Sequence, residues 1–386
     1  MRKFCMTARI LNIESRRRKN YLGISSPTDF QFSEGDTIDA HVVIESPNIS
    51  LYCLDHEYQR ALFVETPADV DLSQAPFYYQ AQYENTVGLF AVHYDELHRL
   101  ANDIHLDSKC LLLIYSVGRS GSTLLSSAFN QLENIVSLSE PDIYTQLAAI
   151  REWDGSNDVE VSELLYSCTK VLCNSPKQSI LTFTWAIKFR SFSIEIADLM
   201  FKHFPDAKTI FLYRDAETWL RSAVLAFVQD DINSAEYLAA IQASLSPLVP
   251  LIDKRFSEKG VSLSIAKIGT LMWLSVMECY LKLNQQDVPM LAVRFKELIS
   301  LPKQTIKEVF KYCNIPTTDL EVVFQILDRD SQAGTVLSRA NIQKNQVELP
   351  DDFMAEVERT LLEHPTIQTP HFVVPNTWRP DIVEEC

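Results

Sequence analysis

Glycine is scarce in this sequence, nine in 386 residues. Two of the nine, Gly118 and Gly121, fall in one short turn, so that turn stands out. Cysteine is present but unpatterned. Cys5, Cys53, Cys110, Cys168, Cys173, Cys279, Cys313 and Cys386 are scattered, with no C-x-x-C step and no nearby histidine pair. That argues against a zinc site and against a small disulfide framework, and reads as thiols buried in a reducing compartment. Long apolar runs are missing as well. No stretch approaches the roughly 20 apolar residues of a membrane span. The first residues, MRKFCMTARILNIESRRRKN, hold no apolar core of the kind a secretory signal needs. The expectation is a soluble, cytoplasmic protein with no membrane partner. Positive charge is in deficit: 35 Lys and Arg stand against 51 Asp and Glu, for a net charge of −16. A generic nucleic-acid or anionic-membrane surface needs the opposite balance. An anionic ligand would need a local basic pocket. The basic run Arg16-Arg17-Arg18-Lys19 reads as a solvated face. Repeats and low-complexity tracts are absent.

What is present is ordinary globular composition, 46% hydrophobic and 22% charged. The length suggests about two or three domains. Residues 1–105 read as a β-rich N-terminal domain. Thr37 to Ile44, Ile49 to Leu54, Ala61 to Val64, Tyr78 to Tyr83 and Val87 to Val92 have strand composition, punctuated by Ser-Pro, Thr-Pro and Ala-Pro steps. Tyr94 to Asn102 reads as a helix. Phe77, Tyr78, Tyr79 and Tyr83 read as core, with an acceptor pocket as the sharper alternative. From residue 106 onward strands and helices alternate, which implies a parallel sheet with covering helices. Expected strands are Leu111 to Tyr115, Ile135 to Leu138, Ser179 to Phe189, Lys208 to Tyr213 and Met290 to Phe295. Expected helices include Thr123 to Leu132, Ile143 to Trp153, Val159 to Cys173, Ser191 to Phe204, Ala216 to Phe227, Pro302 to Cys313, Asp319 to Leu327 and Asp351 to Leu362. Ile232 to Leu283 reads as mostly helical. Arg329 to Lys344 is polar and irregular, placed over a site or disordered.

The stretch Leu111 to Leu125, LLLIYSVGRSGSTLL, carries the chemistry. A buried strand runs into a glycine-bearing turn and a helix start, the local geometry that holds an anion. Ser122 and Thr123 add hydroxyl donors, and Arg119 a positive charge. A nucleoside-triphosphatase loop would need G-x-x-x-x-G-K-[ST], and here Ser122 follows Gly121. In open α/β sheets ligands sit beyond the carboxyl ends of the strands. Those ends carry Gly118-Arg119, Glu140, Lys188 and Arg214, so the loop reads as one part of an anion site.

These residues resemble the sulfotransferases that use 3′-phosphoadenosine 5′-phosphosulfate (PAPS). GRSGSTLL after a strand resembles their 5′-phosphosulfate loop. TIFLYRDAETWLRSAV resembles their 3′-phosphate motif, with Arg214 and, eight residues on, Ser222. VPMLAVRFKELISLPKQTIKEVFKYCNIP resembles their later strand, turn and helix. The resemblance spans about Cys110 to Lys344 and leaves the N-terminal domain outside. It implies an α/β fold with a P-loop, three-layer, doubly wound parallel sheet in residues 106–386, and the β-rich domain as an addition. No histidine lies between the loop and His203, so the histidine-base pattern of the cytosolic enzymes is not met. Val117-Gly118-Arg119-Ser120-Gly121-Ser122-Thr123 is closer to the loop of the tyrosylprotein sulfotransferases, with Gly118 where they carry proline. Glu140 then stands where their glutamate base lies, and Lys188 where a lysine acts near the leaving group. Thr335 to Arg339, including Ser338 and Arg339, resembles a late Leu-Ser-Lys segment that closes over the cofactor. This chain shows no membrane anchor, so its acceptor need not be a protein tyrosine.

The resemblance implies sulfuryl transfer from PAPS to a hydroxyl-bearing acceptor, taken as a small molecule, without a metal. Gly118, Arg119, Ser120, Gly121, Ser122 and Thr123 would hold the 5′-phosphosulfate. Arg214 and Ser222 would hold the 3′-phosphate, and Ser338 and Arg339 would close over the nucleotide. Arg119 and Lys188 would stabilise developing charge, and Glu140 would be the general base. A helix-cap role for Glu140 and a plain strand-end role for Lys188 are the bland alternatives. Asp215 reads as structural. Two rival classes are a P-loop kinase or hydrolase with Asp215 on magnesium, and a non-catalytic nucleotide-binding scaffold.

Overall fold

The computed structural model describes residues 6–18, 20–174, 183–227, 234–252, 263–316, 320–327, 329–335, 337–342 and 352–380. Contacts divide the chain into two compact units. The first comprises residues 1–111, 132–189 and 196–207, and the second 112–131, 190–195 and 208–386.

The first unit contains an antiparallel sheet of β1 (Thr7–Arg16), β2 (Phe30–Asp39), β3 (Ile49–Asp55), β4 (Arg60–Glu65) and β5 (Gly88–His93). Their order is β2-β1-β5-β4-β3. Leu11, Phe30, Tyr52, Leu62, Val64, Tyr83 and Leu89 form a core cluster of this unit. Three local readings are corrected here. Strand β1 lies where none was expected, because two register shifts, at Arg9/Leu11 and Ile13/Ser15, interrupt its alternation. The expected strand Thr37 to Ile44 stops at Asp39. The Asp39 carboxylate accepts the His41 backbone N–H at 3.0 Å, and Val42–Glu45 is a helical turn. Tyr78–Asn85 is a helix rather than a strand. Helical spacing puts Tyr78 and Gln82 on one face, and Tyr79 and Tyr83 on one face. All four are buried, and Gln82 Nε2 donates to Leu51 O and to Ser50 Oγ. Phe77 is buried with them, in line with the core reading of these aromatics.

The basic run is corrected at Arg18 only, since Arg16 and Arg17 are exposed. Arg18 is buried: its side chain is 2% exposed, and it donates to Asp29 at 3.0 Å, to Tyr52 Oη at 2.9 Å and to Ser25 Oγ at 3.1 Å. Its guanidinium lies over the Tyr79 ring at 4.9 Å. Arg16 donates to the carbonyls of Tyr83 and Thr86. Lys19 lies outside the described residues.

The second sheet has five strands: β6 (Leu111–Ser116), β7 (Ile135–Ser139), β8 (Thr184–Lys188), β9 (Lys208–Tyr213) and β10 (Met290–Arg294). Their order is β10-β9-β6-β8-β7. The pairs β10·β9, β6·β9 and β7·β8 are parallel. Strands covered on both faces read as unbroken apolar runs, and β6 is buried at every position. Helices follow the strands, among them Ser122–Phe129, Ala216–Phe227 and Ile265–Gln285. The first part of the expected strand Ser179 to Phe189 lies outside the described residues. The expected helix Ser191 to Phe204 is a 3₁₀ turn, Ser191–Ile196, followed by the helix Ala197–His203. The six described cysteines are thiols, and five are buried.

Two registers position the candidate groups. Within the second unit Ser116 pairs with Leu212, so β6 and β9 end level with each other. Within the first unit Ser139 pairs with Lys188, which brings Glu140 beside Lys188.

Candidate active site

In the second unit the turn after β6 is built from hydrogen bonds that aim its backbone. Val117 N and Ser120 Oγ both donate to Leu212 O, at 3.1 and 3.2 Å. Gly118 N donates to Ser116 Oγ at 3.2 Å, and that hydroxyl lies 3.3 Å from Ser122 Oγ. Trp219 Nε1 donates to Val117 O and Gly118 O, at 2.8 and 3.0 Å. Those bonds fix the Val117 and Gly118 carbonyls and engage the Val117 and Gly118 N–H groups within the turn. Gly121 is left-handed at φ +84° and forms the N-cap of Ser122–Phe129 with no side-chain cap bond. A Cβ there would lie 2.5 Å from Leu298 Cδ2, so both the conformation and the space favour glycine. An uncapped helix start in this position presents N–H groups and the positive dipole end to an anion. Ser120, Ser122 and Thr123 are all buried.

Arg119 is left-handed at φ +48°, a strained conformation for a residue with a side chain. Its Nε donates to Ser222 Oγ at 3.2 Å, and its Nη1 to Gln332 Oε1 at 2.7 Å. Ser222 lies in the second turn of Ala216–Phe227. Arg214 Nη1 reaches Arg119 O at 3.5 Å, its Nε donates to Thr218 Oγ1 at 2.9 Å, and its guanidinium lies over the Phe295 ring at 4.6 Å. The structure therefore brings the loop, Arg119, Arg214 and Ser222 together. Burial pulls both arginines below their ordinary pKa, and Arg214 adds to the effect on Arg119. Two partly desolvated cations side by side favour an anion between them. Asp215 caps the helix: Thr218 N donates to its Oδ1 at 3.0 Å, and Thr218 Oγ1 to its Oδ2 at 2.6 Å. Burial raises its carboxyl, but the Thr218 bonds outweigh that and hold it below the ordinary range. Its structural reading stands. Ser338 is buried in the segment after Gln332. Arg339 opens the helical turn Arg339–Ile342, and its side chain lies outside the described residues, as does Val336.

In the first unit Glu140 and Lys188 form an ion pair. Lys188 Nζ donates to Glu140 Oε1, and Glu140 N donates to Lys188 O at 2.7 Å. The two side chains are 14% and 4% exposed. Glu140 is left-handed at φ +63°. The helix Ile143–Ile150 has Asp142 as its N-cap residue, so the cap alternative for Glu140 is not what the chain uses. The neighbouring elements hold this corner firmly. Ser139 Oγ donates to Pro76 O at 2.6 Å, Ser25 N to Asp142 Oδ2 at 2.5 Å, and the Gln146 amide bonds the Leu54 backbone twice. Lys188 Nζ lies 5.9 Å from the centre of the Phe77 ring.

Sequence reasoning missed Gln332, Trp219 and Phe295. Trp219 falls inside the quoted TIFLYRDAETWLRSAV motif, and Gln332 inside the polar segment expected to cover a site. Neither position announces its partner.

A parallel sheet with a glycine turn between a strand and a helix defines an α/β protein of the P-loop type. The sequence model of the sulfotransferase family matches residues 112–319, more than half of the chain, so the chain belongs to that family. Solved sulfotransferases are similar at low identity. One from Alicyclobacillus acidocaldarius is 15% identical over 67% of this chain and 96% of its own, with a TM-score of 0.37. Sulfotransferase STF9 from Mycobacterium avium is 12% identical over 70% of this chain and 79% of its own, with a TM-score of 0.41. A mouse sulfotransferase complexed with PAP is 12% identical over 70% and 89%, with a TM-score of 0.36. No curated protein matches the sequence. Among the described residues no helix is long and apolar enough to cross a membrane.

Proposed function

We propose that this sulfotransferase takes its sulfuryl group from PAPS and passes it to a hydroxyl-bearing acceptor, with Glu140 as general base. The observation that carries the donor reading is the cluster of Arg119, Arg214 and Ser222 around the glycine turn: two half-buried guanidinium groups and hydroxyl donors beside an uncapped helix start. The residues fit a bisphosphorylated nucleotide. Arg214 and Ser222 hold the 3′-phosphate, and a planar fork of N–H donors suits that task. Gly118 shapes the turn, and the N–H groups of residues 119–123 with the Ser122 and Thr123 hydroxyls hold the 5′-phosphosulfate. Ser338 and Arg339 belong to the segment that covers the nucleotide. In function we divide the chain into the N-terminal β-rich domain, residues 1–105, and the sulfotransferase domain, residues 106–386.

Sulfuryl transfer is an in-line displacement, so catalysis is mostly positioning and charge stabilisation. The acceptor hydroxyl gives its proton to the Glu140 carboxylate as its oxygen attacks sulfur. Arg119 stabilises the equatorial oxygens of the group in flight. Lys188, already hydrogen-bonded to Glu140, neutralises charge on the bridging oxygen as the bond to it breaks. The kinase and hydrolase reading finds less support: Gly121 is followed by Ser122 rather than by a lysine, and the Asp215 carboxylate is engaged by Thr218. The test is turnover of PAPS with a panel of phenols, alcohols and sugars. Transfer to at least one hydroxyl class is expected. ATP turnover that requires magnesium, with no transfer from PAPS, would overturn the reading.

A further inference from the structure

We propose that Gln332 is a positioning residue for sulfuryl transfer, setting the orientation of the Arg119 guanidinium through a neutral hydrogen bond. This rests on the donor reading above.

Arg119 leaves a short turn in a strained conformation, so its own backbone does little to fix a long side chain. Two acceptors define the guanidinium plane instead. Ser222 Oγ takes Nε at 3.2 Å and Gln332 Oε1 takes Nη1 at 2.7 Å. Gln332 is itself held. Its N–H donates to Asp330 Oδ1 at 3.1 Å, and its carbonyl accepts from Thr335 N and Thr335 Oγ1, at 3.1 and 2.8 Å. Thr335 Oγ1 in turn accepts Leu337 N at 3.1 Å, and Leu337 and Ser338 are buried. The amide is thus the tip of a hydrogen-bonded turn anchored in packed structure. Its chemistry matters as much as its place. A carboxylate at this point would pair with Arg119 and cancel its charge, while an amide oxygen orients the cation and leaves the charge for a ligand oxygen. Asp330 favours the charged guanidinium from two residues away, against burial and the repulsion of Arg214.

The test compares affinity for PAPS with affinity for 3′,5′-adenosine bisphosphate, which lacks the sulfuryl group, so no acceptor is required. The proteins are wild type, Arg119→Ala, Gln332→Ala, Gln332→Glu and the Arg119→Ala/Gln332→Ala double variant. Wild type is expected to prefer PAPS, and Arg119→Ala to reduce that preference about tenfold, the loss of a charge-assisted bond. Gln332→Ala and Gln332→Glu should each reduce it severalfold, with a smaller loss of affinity for the bisphosphate than for PAPS. The double variant should match Arg119→Ala alone, because Gln332 acts through Arg119. Multiplied effects in the double variant would overturn the proposal. So would equal losses for both nucleotides in Gln332→Ala, the mark of a merely structural turn, or wild-type preference in Gln332→Glu. If wild type binds neither nucleotide, the donor reading itself is wrong and the proposal falls with it. If wild type binds both and Gln332→Ala keeps its preference, only the Gln332 role is lost.

Discussion

Around the glycine turn the cations are held by neutral groups: Arg119 by Ser222 and Gln332, Arg214 by Thr218, a backbone carbonyl and the Phe295 ring. At the end of β7 the cation is matched: Lys188 faces Glu140, and both are largely buried. A cation on neutral partners keeps its charge for a ligand. A matched pair is close to neutral, so neither of its charges is spare. In the proposed function the first cluster binds and the second reacts, and substitutions should separate the two.

The largest separation is expected at Glu140. Glu140→Gln keeps the shape of the pair and should lower kcat by roughly 10²–10⁴, while affinity for 3′,5′-adenosine bisphosphate is unchanged. Steady-state kinetics and calorimetry together check this, and a normal kcat would remove Glu140 as the base. The matched-pair half extends to the N-terminal sheet, where Arg18 and Asp29 are buried together. Arg18→Met leaves Asp29 without its cation and should cost about 3–5 kcal/mol of stability in urea unfolding. Arg214→Ala should give the mirror image of Glu140→Gln. Bisphosphate affinity should fall about 10- to 100-fold, the value of hydrogen bonds to a charged group. An unchanged affinity would dissolve the binding half of the comparison.

The smallest expected effect is one of pH. Burial lowers the His203 pKa, Lys202 lowers it further, and a hydrogen bond with the Ser162 backbone only partly opposes them. Below about pH 6.5 the unfolded chain then binds more protons than the folded one, so stability present at neutral pH is lost as pH falls from there. His203→Gln should flatten that slope in denaturant midpoints measured between about pH 7 and 5.

The sheet that carries both clusters was legible because its strands are covered on two faces. Leu111 to Tyr115 and Ile210 to Tyr213 are unbroken apolar runs, and the glycine turn follows the first. The N-terminal sheet was not. Bulges in β1 break the alternation that reveals a strand, and the aromatic run at Tyr78 has strand composition but buries a helix face. Charge misled at Arg18, since a run of basic residues says nothing of Asp29 or Tyr52 waiting beside it. The loop, Arg214 and Ser222 could be named in advance because spacing within a motif carries them. Gln332 could not, because its bond to Arg119 joins residues far apart in sequence.

The comparison of melting temperature with 3′,5′-adenosine bisphosphate and with ATP-magnesium bears most directly on sulfuryl transfer from PAPS. A ligand that binds the native state alone raises its stability. The bisphosphate at about 100 times its Kd should add roughly 2.7 kcal/mol and shift the melting temperature upward by a few degrees. Arg214→Ala should abolish most of that shift, and ATP-magnesium should produce little. Stabilisation by ATP-magnesium with none by the bisphosphate would contradict it.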